Sequence, residues 1–307
     1  MSRVAWRLQR TETAVVAGIL ALLAVLLIPT GIQMANAYHS DGLNACRALN
    51  IGPSCAARIG QFQSRFQALT VLANWFTLVP GLIGVLLAAP FILDLEHGTY
   101  RLAWTQGITR RRWLAGKLGI LVLTAVVASG ALALLMAWWR SPQADLNGRL
   151  DTGVYDTAGI VVVGYALFAL GLALVLGALW RRSAASLTVA FVGYFAMRIF
   201  VDYWLRNRLV SPLQGSWRGL RQPQFLYHAQ IMSESGGSGK GGFKSGGPLG
   251  GHAQMAVPGN ASHTLFHAVY QPASHFWPLQ LSETALFTGI AALLIAFAAW
   301  WTHERIA

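Results

Sequence analysis

Six apolar blocks, at 13–34, 70–93, 118–139, 157–180, 183–205 and 282–301, divide this chain of 307 residues. A helix crosses a hydrocarbon core of about 30 Å with about 20 apolar residues, and each block is long enough. Hydrocarbon offers backbone N–H and C=O groups no partner, so a crossing segment of this length has to be helical. Only 11% of the residues are charged, against about 25% in soluble domains, too few to clothe a globular surface. An ordinary soluble enzyme and a disordered chain are excluded. The expected fold is an all-α integral membrane architecture of six transmembrane helices.

The 23 Lys and Arg outnumber the 11 Asp and Glu, a net charge of +12. In a soluble protein that would point to nucleic acid. Here the bases sit in loops beside apolar blocks, where they orient a membrane protein, so the expected partner is the lipid bilayer and not nucleic acid. With a cytoplasmic N-terminus, Arg3, Arg7, Arg10, Arg101, Arg110, Arg111, Arg112, Lys117, Arg181, Arg182 and Arg305 fall inside. The short outer loops hold only Arg47, Arg58, Arg65, Arg140 and Arg149. That bias places both termini in the cytoplasm of a multi-pass plasma-membrane protein. Trp138, Trp139 and Trp204 then fall at outer span ends and Trp180, Trp300 and Trp301 at inner ones, as in an interfacial aromatic belt. The first block can also be read as a signal peptide, with Arg3–Arg10 before it and Ala35-Asn36-Ala37 after it; its apolar run exceeds the usual h-region, so it is taken as a span.

The organisation that follows is a membrane part over 1–205, an extracellular segment over 206–281 and a last helix with a short tail over 282–307. The middle of the extracellular segment, 235–251, has nine glycines in 17 residues and reads as a flexible tether. Its aromatic flanks, with Trp217, Phe225, Tyr227, Phe266, Tyr270, Phe276 and Trp277, read as a cap. Cys46 and Cys55 are the only cysteines and share the first outer loop. An oxidising exterior permits a bridge between them; two separate thiols are the other reading. His263 and His267 have the i,i+4 spacing of a helical metal pair, but no carboxylate or cysteine lies near them in sequence, so no metal is expected. Within the fifth block Arg198 and Asp202 are one turn apart and predict an ion pair. At 1.5 Å per residue they stand about 20–30 Å from Ser183, near the outer interface, where they would anchor the cap. Ala169, Ala173 and Gly177 in the fourth block form a small-xxx-small face for close helix packing.

The densest polar run lies between the second and third blocks: Asp94-Leu-Glu96-His-Gly98-Thr99-Tyr-Arg101-Leu-Ala-Trp104-Thr105-Gln106-Gly107-Ile-Thr109-Arg110-Arg111-Arg112-Trp113, then Lys117. Thr99 can cap a short helix that Gly107 ends, and Thr109 can cap the third span. Tyr100, Leu102 and Trp104 would give that helix an anchoring or docking surface. The plainer reading is a basic loop that does no more than orient the protein.

These residues resemble the permease subunit of ABC-2 type transporters. The pattern is Glu-x-Gly-Thr after the second span, eleven residues from that Thr to a Ser/Thr-Arg pair, then seven to Lys: Glu96, Gly98, Thr99, Thr109, Arg110 and Lys117. Trp104-Thr105-Gln106, Arg112-Trp113 and the run from Tyr270 to Gln280 with Glu283 are similar to an actinobacterial branch of that family. Gly107 stands where many members have Pro, and His275 where this branch has Arg.

The resemblance implies a passive half-channel, working as a dimer with a second permease copy or a paralogue and driven by a separate ABC-type ATP-binding subunit. The segment 94–112 would be the coupling element seated on that subunit. Glu96, Arg101 and Arg110 would make its polar contacts and Trp104 its apolar anchor, with Gly98, Thr99, Thr109 and Lys117 completing the motif. Arg3–Arg10 would be a connecting helix at the inner interface. ATP and Mg would belong to the partner, since a phosphate-binding loop needs Gly-x4-Gly-Lys-Ser/Thr and Gly239-Lys240-Gly241 lacks it. This chain would then have no catalytic residue and no cofactor, and would export a hydrophobic or amphipathic substrate. The rival readings are a membrane-embedded enzyme or a sensor built on the histidine-containing cap.

Overall fold

The computed structural model describes residues 10–48, 53–99, 109–211, 213–218, 231–233 and 265–305. Six helical crossings run through them. The first is α1 (Arg10–Ser40). A short α2 (Leu43–Ala48) leads to the second, made of α3 (Pro53–Asn74), a 3-10 turn (Trp75–Leu78) and α4 (Val79–His97). The third is α5 (Arg110–Trp139), followed by the short α6 (Ser141–Asn147) and α7 (Thr152–Tyr155). The fourth is α8 (Val161–Trp180), and the fifth is α9 (Ser183–Phe200) with a π turn (Val201–Leu205) and α10 (Arg206–Leu209). The sixth is α11 (Phe276–Arg305). Six crossings return the chain to the side it started from. That side carries Arg110 and Arg182 and is called the basic side here; the other carries the Cys46–Cys55 bond and is called the disulfide side.

All six expected spans are present as helices. The first, second and sixth run well past the apolar blocks, because a helix that has satisfied its own backbone can continue into water. On the disulfide side α2 and the start of α3 are joined by the Cys46–Cys55 bond, with Cα atoms 5.6 Å apart. In the long segment between the fifth and sixth spans, β1 (Leu213–Arg218), β2 (Ile231–Ser233) and β3 (Leu265–Tyr270) form an antiparallel sheet in the order β1-β3-β2. Leu213 pairs with Tyr270 and Ile231 with Ala268. This small sheet is an addition to the all-helical membrane part. His267 lies in β3, not on a helix, and His263 lies outside the described residues. So do the connecting segment up to residue 9, the tether at 235–251, Phe225 and Tyr227.

The fourth span is the centre of the molecule. Its most apolar stretch is 78% buried inside the protein, against 17% for the first and the sixth. It packs along α4 on one face and α11 on another. Small residues set this closeness. A methyl group at Gly84 of α4 would overlap the Ala166 carbonyl and the Leu170 amide of α8. Further along, Gly177 lies against Ile92, and Ala169 against Gly84. The Ala169–Ala173–Gly177 face therefore serves contact within the chain.

The break in the second crossing has a local cause. Pro80 has no N–H, so the Phe76 carbonyl loses its α-helical donor. It accepts instead from Val79 N, three residues on, which tightens the turn into a 3-10 form. The Tyr194 ring of α9 fills the space over Gly81, where any side chain would collide with it. Its hydroxyl donates to the Thr77 carbonyl at 3.2 Å.

Trp138, Trp204, Trp180 and Trp300 are exposed, as an interfacial belt requires. Trp139 is not: it is buried and its Nε1 donates to Thr30 Oγ1 of α1 at 3.0 Å. One step on, Arg140 is also buried, donating to Asn74 Oδ1 at 3.0 Å and to Gln143 Oε1 at 3.3 Å. The end of the third span is thus fixed by indole and guanidinium donors reaching into the bundle, which the belt reading of Trp139 did not contain.

Candidate functional site

On the basic side, α4 ends at His97 and the chain reverses through Gly98, whose φ of 71° is the left-handed conformation that glycine adopts at no steric cost. Thr99 Oγ1 donates back to Asp94 Oδ1 at 2.8 Å, so this side chain closes the turn behind it. The same Asp94 forms an ion pair with Lys117, two turns into α5. Lys117 Nζ also reaches the Pro90 carbonyl at 3.4 Å and lies 5.4 Å from the Trp113 ring centroid and 5.9 Å from that of Phe91. Those two rings stack at 6.2 Å. Lys117 thereby binds the end of the second span to the start of the third.

Glu96 reaches a third helix. Its Oε2 accepts the backbone N–H of Ser183 at 2.9 Å. Ser183 is the first residue of α9, where backbone donors have no partner within the helix and the helix dipole favours negative charge. The connection before it is two residues long. Arg181 closes α8 in the left-handed region at φ 52°, and Arg182 is extended.

Thr109 stands extended at the entry to α5, and its carbonyl accepts Trp113 N at 3.0 Å. Its side chain makes no capping bond, so the expected hydroxyl cap is replaced by the backbone alone. Arg110 is exposed on the first turn of α5. Arg101 and Trp104, with the short helix expected between Thr99 and Gln106, lie outside the described residues. Of the eight expected coupling residues, then, Glu96, Gly98, Thr99 and Lys117 meet in one frame with Asp94 and Ser183, and Thr109 and Arg110 stand at its exit.

A second polar constellation occupies the disulfide side. Arg206, its side chain only 2% exposed, donates to carboxylates from three elements. Nη2 reaches Asp156 Oδ1 at 2.8 Å, Nη1 reaches Asp202 Oδ1 at 2.5 Å, and Nε reaches Glu283 Oε2 at 3.0 Å. Glu283 is fully buried and also accepts from Tyr155 at 3.1 Å and Tyr165 at 2.5 Å. Arg198 pairs with Asp156 at 2.9 Å while lying 3.8 Å from the Tyr165 ring centroid. Three carboxylates and two guanidiniums thus bond to one another away from water. Burial of that kind demands that each charge find partners. Next to them, Gln280 of α11 accepts Val161 N at 3.0 Å and donates to the Tyr155 and Ala158 carbonyls at 3.2 and 3.3 Å, capping α8 from outside.

The expected Arg198–Asp202 pair does not form: Arg198 pairs with Asp156, and Asp202 with Arg206. Spacing along one helix does not choose between partners: Asp202 takes its other i,i+4 neighbour, Arg206, and Arg198 takes Asp156 from the segment before α8. Asp156, Arg206, Tyr155, Tyr165 and Gln280 were missed as site residues. Their signal was the gathering of opposite charges at the same edge of three spans, which counting charges within spans overlooks.

A family model described as ABC-2 membrane transporter related matches residues 17–206. No curated protein and no solved structure matches the chain.

Proposed function

The chain belongs to the ABC-2 membrane transporter related family, and from that premise we propose that it is the conduit-forming subunit of an exporter worked by a separate ATP-binding subunit. As a member of this family it is a multi-pass membrane permease, a transport subunit and not itself the catalyst, and the family implies an ATP-binding partner in general. What is proposed beyond this is the direction of transport, a hydrophobic or amphipathic cargo, dimerisation with a second permease, and docking of the ATPase on 94–112. The basic side is then the cytoplasmic side and the disulfide side the exterior, in line with the bias of arginines along the chain.

The observation that carries the docking reading is the frame around Asp94 and Glu96. The helices that flank this segment, ending at His97 and starting at Arg110, are tied to each other through Asp94 and Lys117 and to the fifth span through Glu96. A load applied to such a segment moves three helices together instead of bending a loop. Glu96 and Lys117 serve this reading by holding the frame from within. Arg101 and Trp104 supply the contact with the ATPase, an aromatic anchor beside a cation being the usual composition of an interface hot spot.

Copurification from membranes tests the proposal. The wild-type chain brings down an ATP-binding-cassette subunit, and Arg101→Ala with Trp104→Ala loses it while remaining in the membrane. Full copurification with the double variant overturns the docking assignment. A tag at position 105 that antibodies reach only from outside intact cells overturns the orientation.

A further inference from the structure

Arg206 binds three carboxylates that arrive from different places: Asp156 from the segment before α8, Asp202 from the fifth span and Glu283 from the sixth. It therefore ties the disulfide-side ends of the fourth, fifth and sixth spans together. Immediately before it stands the π turn Val201–Leu205. Such turns carry one residue more per hydrogen-bonded loop than an α-helix and form where a helix can shift or bend.

The partners divide at that turn. Below it, Arg198 holds Asp156 and stacks on Tyr165. Beyond it, Arg206 bonds Asp202, which lies inside the turn four residues back. If the segment beyond the turn swings outward, Arg206 keeps Asp202 of the turn as its i,i+4 neighbour, and Asp156 keeps Arg198. Glu283 keeps the Tyr155 and Tyr165 hydroxyls. Within this cluster the one charge left without a counterion is that of Glu283, and it retains two hydrogen-bond donors. Taking one partner from a buried ion pair leaves an uncompensated charge at high cost. Here only one carboxylate loses its counterion, and its two hydroxyl donors stay with it, which brings the parted state closer to the closed one.

We propose that this cluster is a latch closing the disulfide-side ends of the fourth, fifth and sixth spans, with Arg206 as its moving part and the π turn as its hinge. The inference rests on the permease reading to the extent that a conduit has to open at this end.

Thiol reactivity of the full chain in lipid nanodiscs tests it. Both native cysteines are used in the Cys46–Cys55 bond, so a water-soluble maleimide reads only an introduced thiol. Ala158→Cys reports on the latch, since Ala158 is buried two residues from Asp156 and bonded to Gln280 through its carbonyl. Ala173→Cys, fully buried in mid α8, reports on general loosening. The thiol introduced at position 158 is expected to react slowly in the otherwise unaltered chain. It reacts about tenfold faster with Arg206→Gln or Glu283→Gln, the ratio for an opening equilibrium moved by about 1.4 kcal/mol. The thiol introduced at position 173 stays slow throughout. Unchanged reactivity at position 158 in both variants, fast reaction there without them, or a parallel rise at position 173 each overturns the latch. No ATP-binding subunit enters this measurement. A failed latch thus leaves the docking reading standing, and absence of a copurifying ATPase leaves the latch result standing.

Discussion

Glu96 and Ser183 are 87 residues apart in the chain, and the carboxylate of the first accepts the backbone N–H of the second at 2.9 Å. Through this one bond the last turn of the second span ends on the first turn of the fifth. In Glu96→Ala the Ser183 amide is expected to exchange with solvent deuterium faster than in the wild type. In Glu96→Gln, whose side-chain oxygen still accepts, it keeps much of its protection. Ser183→Pro removes the donor and suits the first position of a helix, so that chain is expected to insert normally. Equal exchange at Ser183 in the alanine and wild-type chains would remove the bond from the account.

The contact of α4 with α8 leaves no room at Gly84. Gly84→Val is expected to destabilise the bundle by about 3 kcal/mol or more, since the colliding atoms are backbone and cannot turn away. Gly119→Ala, on a part of α5 with no atom within 4 Å of the added methyl, is expected to be tolerated. The fraction of chain recovered monodisperse after solubilisation, as a function of temperature, separates the two.

Asp156 accepts from both buried guanidiniums. Asp156→Ala leaves Arg198 and Arg206 short of counterions in a dry site, and is expected to cost about 3–5 kcal/mol. Asp202→Ala, which removes a partner from Arg206 alone among these two, is expected to cost less. Thermal unfolding of the two variants in the same nanodiscs ranks them. The reverse order would contradict the central place given to Asp156.

The Cys46–Cys55 bond closes a short loop on the disulfide side. Removing it as Cys46→Ser with Cys55→Ser is expected to lower stability by about 2–3 kcal/mol, the loop-closure cost of such a segment. Reductant should lower the unfolding temperature of the wild-type chain and leave the double variant unchanged. A wild-type chain indifferent to reductant would show that the bond does not hold the protein together.

Much of this was legible in the residues alone. Each of the six spans was visible because a membrane enforces one backbone solution on any apolar run of sufficient length. The turn after the second span was not read in advance: Thr99 was expected to cap a helix toward Gln106, which lies outside the described residues, whereas its hydroxyl bonds back to Asp94 behind a left-handed Gly98. The helical extension from Pro53 to the membrane was not legible either, because a helix in water leaves no long apolar block. Asp94 stood in the polar run but was passed over; its role depends on Lys117, which only the packing of α5 on α4 brings to it. The buried cluster misled a local rule. Arg198 and Asp202 have the right spacing to pair, yet Asp156 and Arg206 lie nearer in space.

Solvation, readable from the order of the residues, was enough to settle the number of apolar crossings and the helical nature of the membrane part. Which charge meets which was left to packing. Ion pairs in a dry interior are selected by the helix faces that come within bonding distance, and those faces are set by Gly84, Gly177 and the turn at Val201–Leu205 acting together across the bundle.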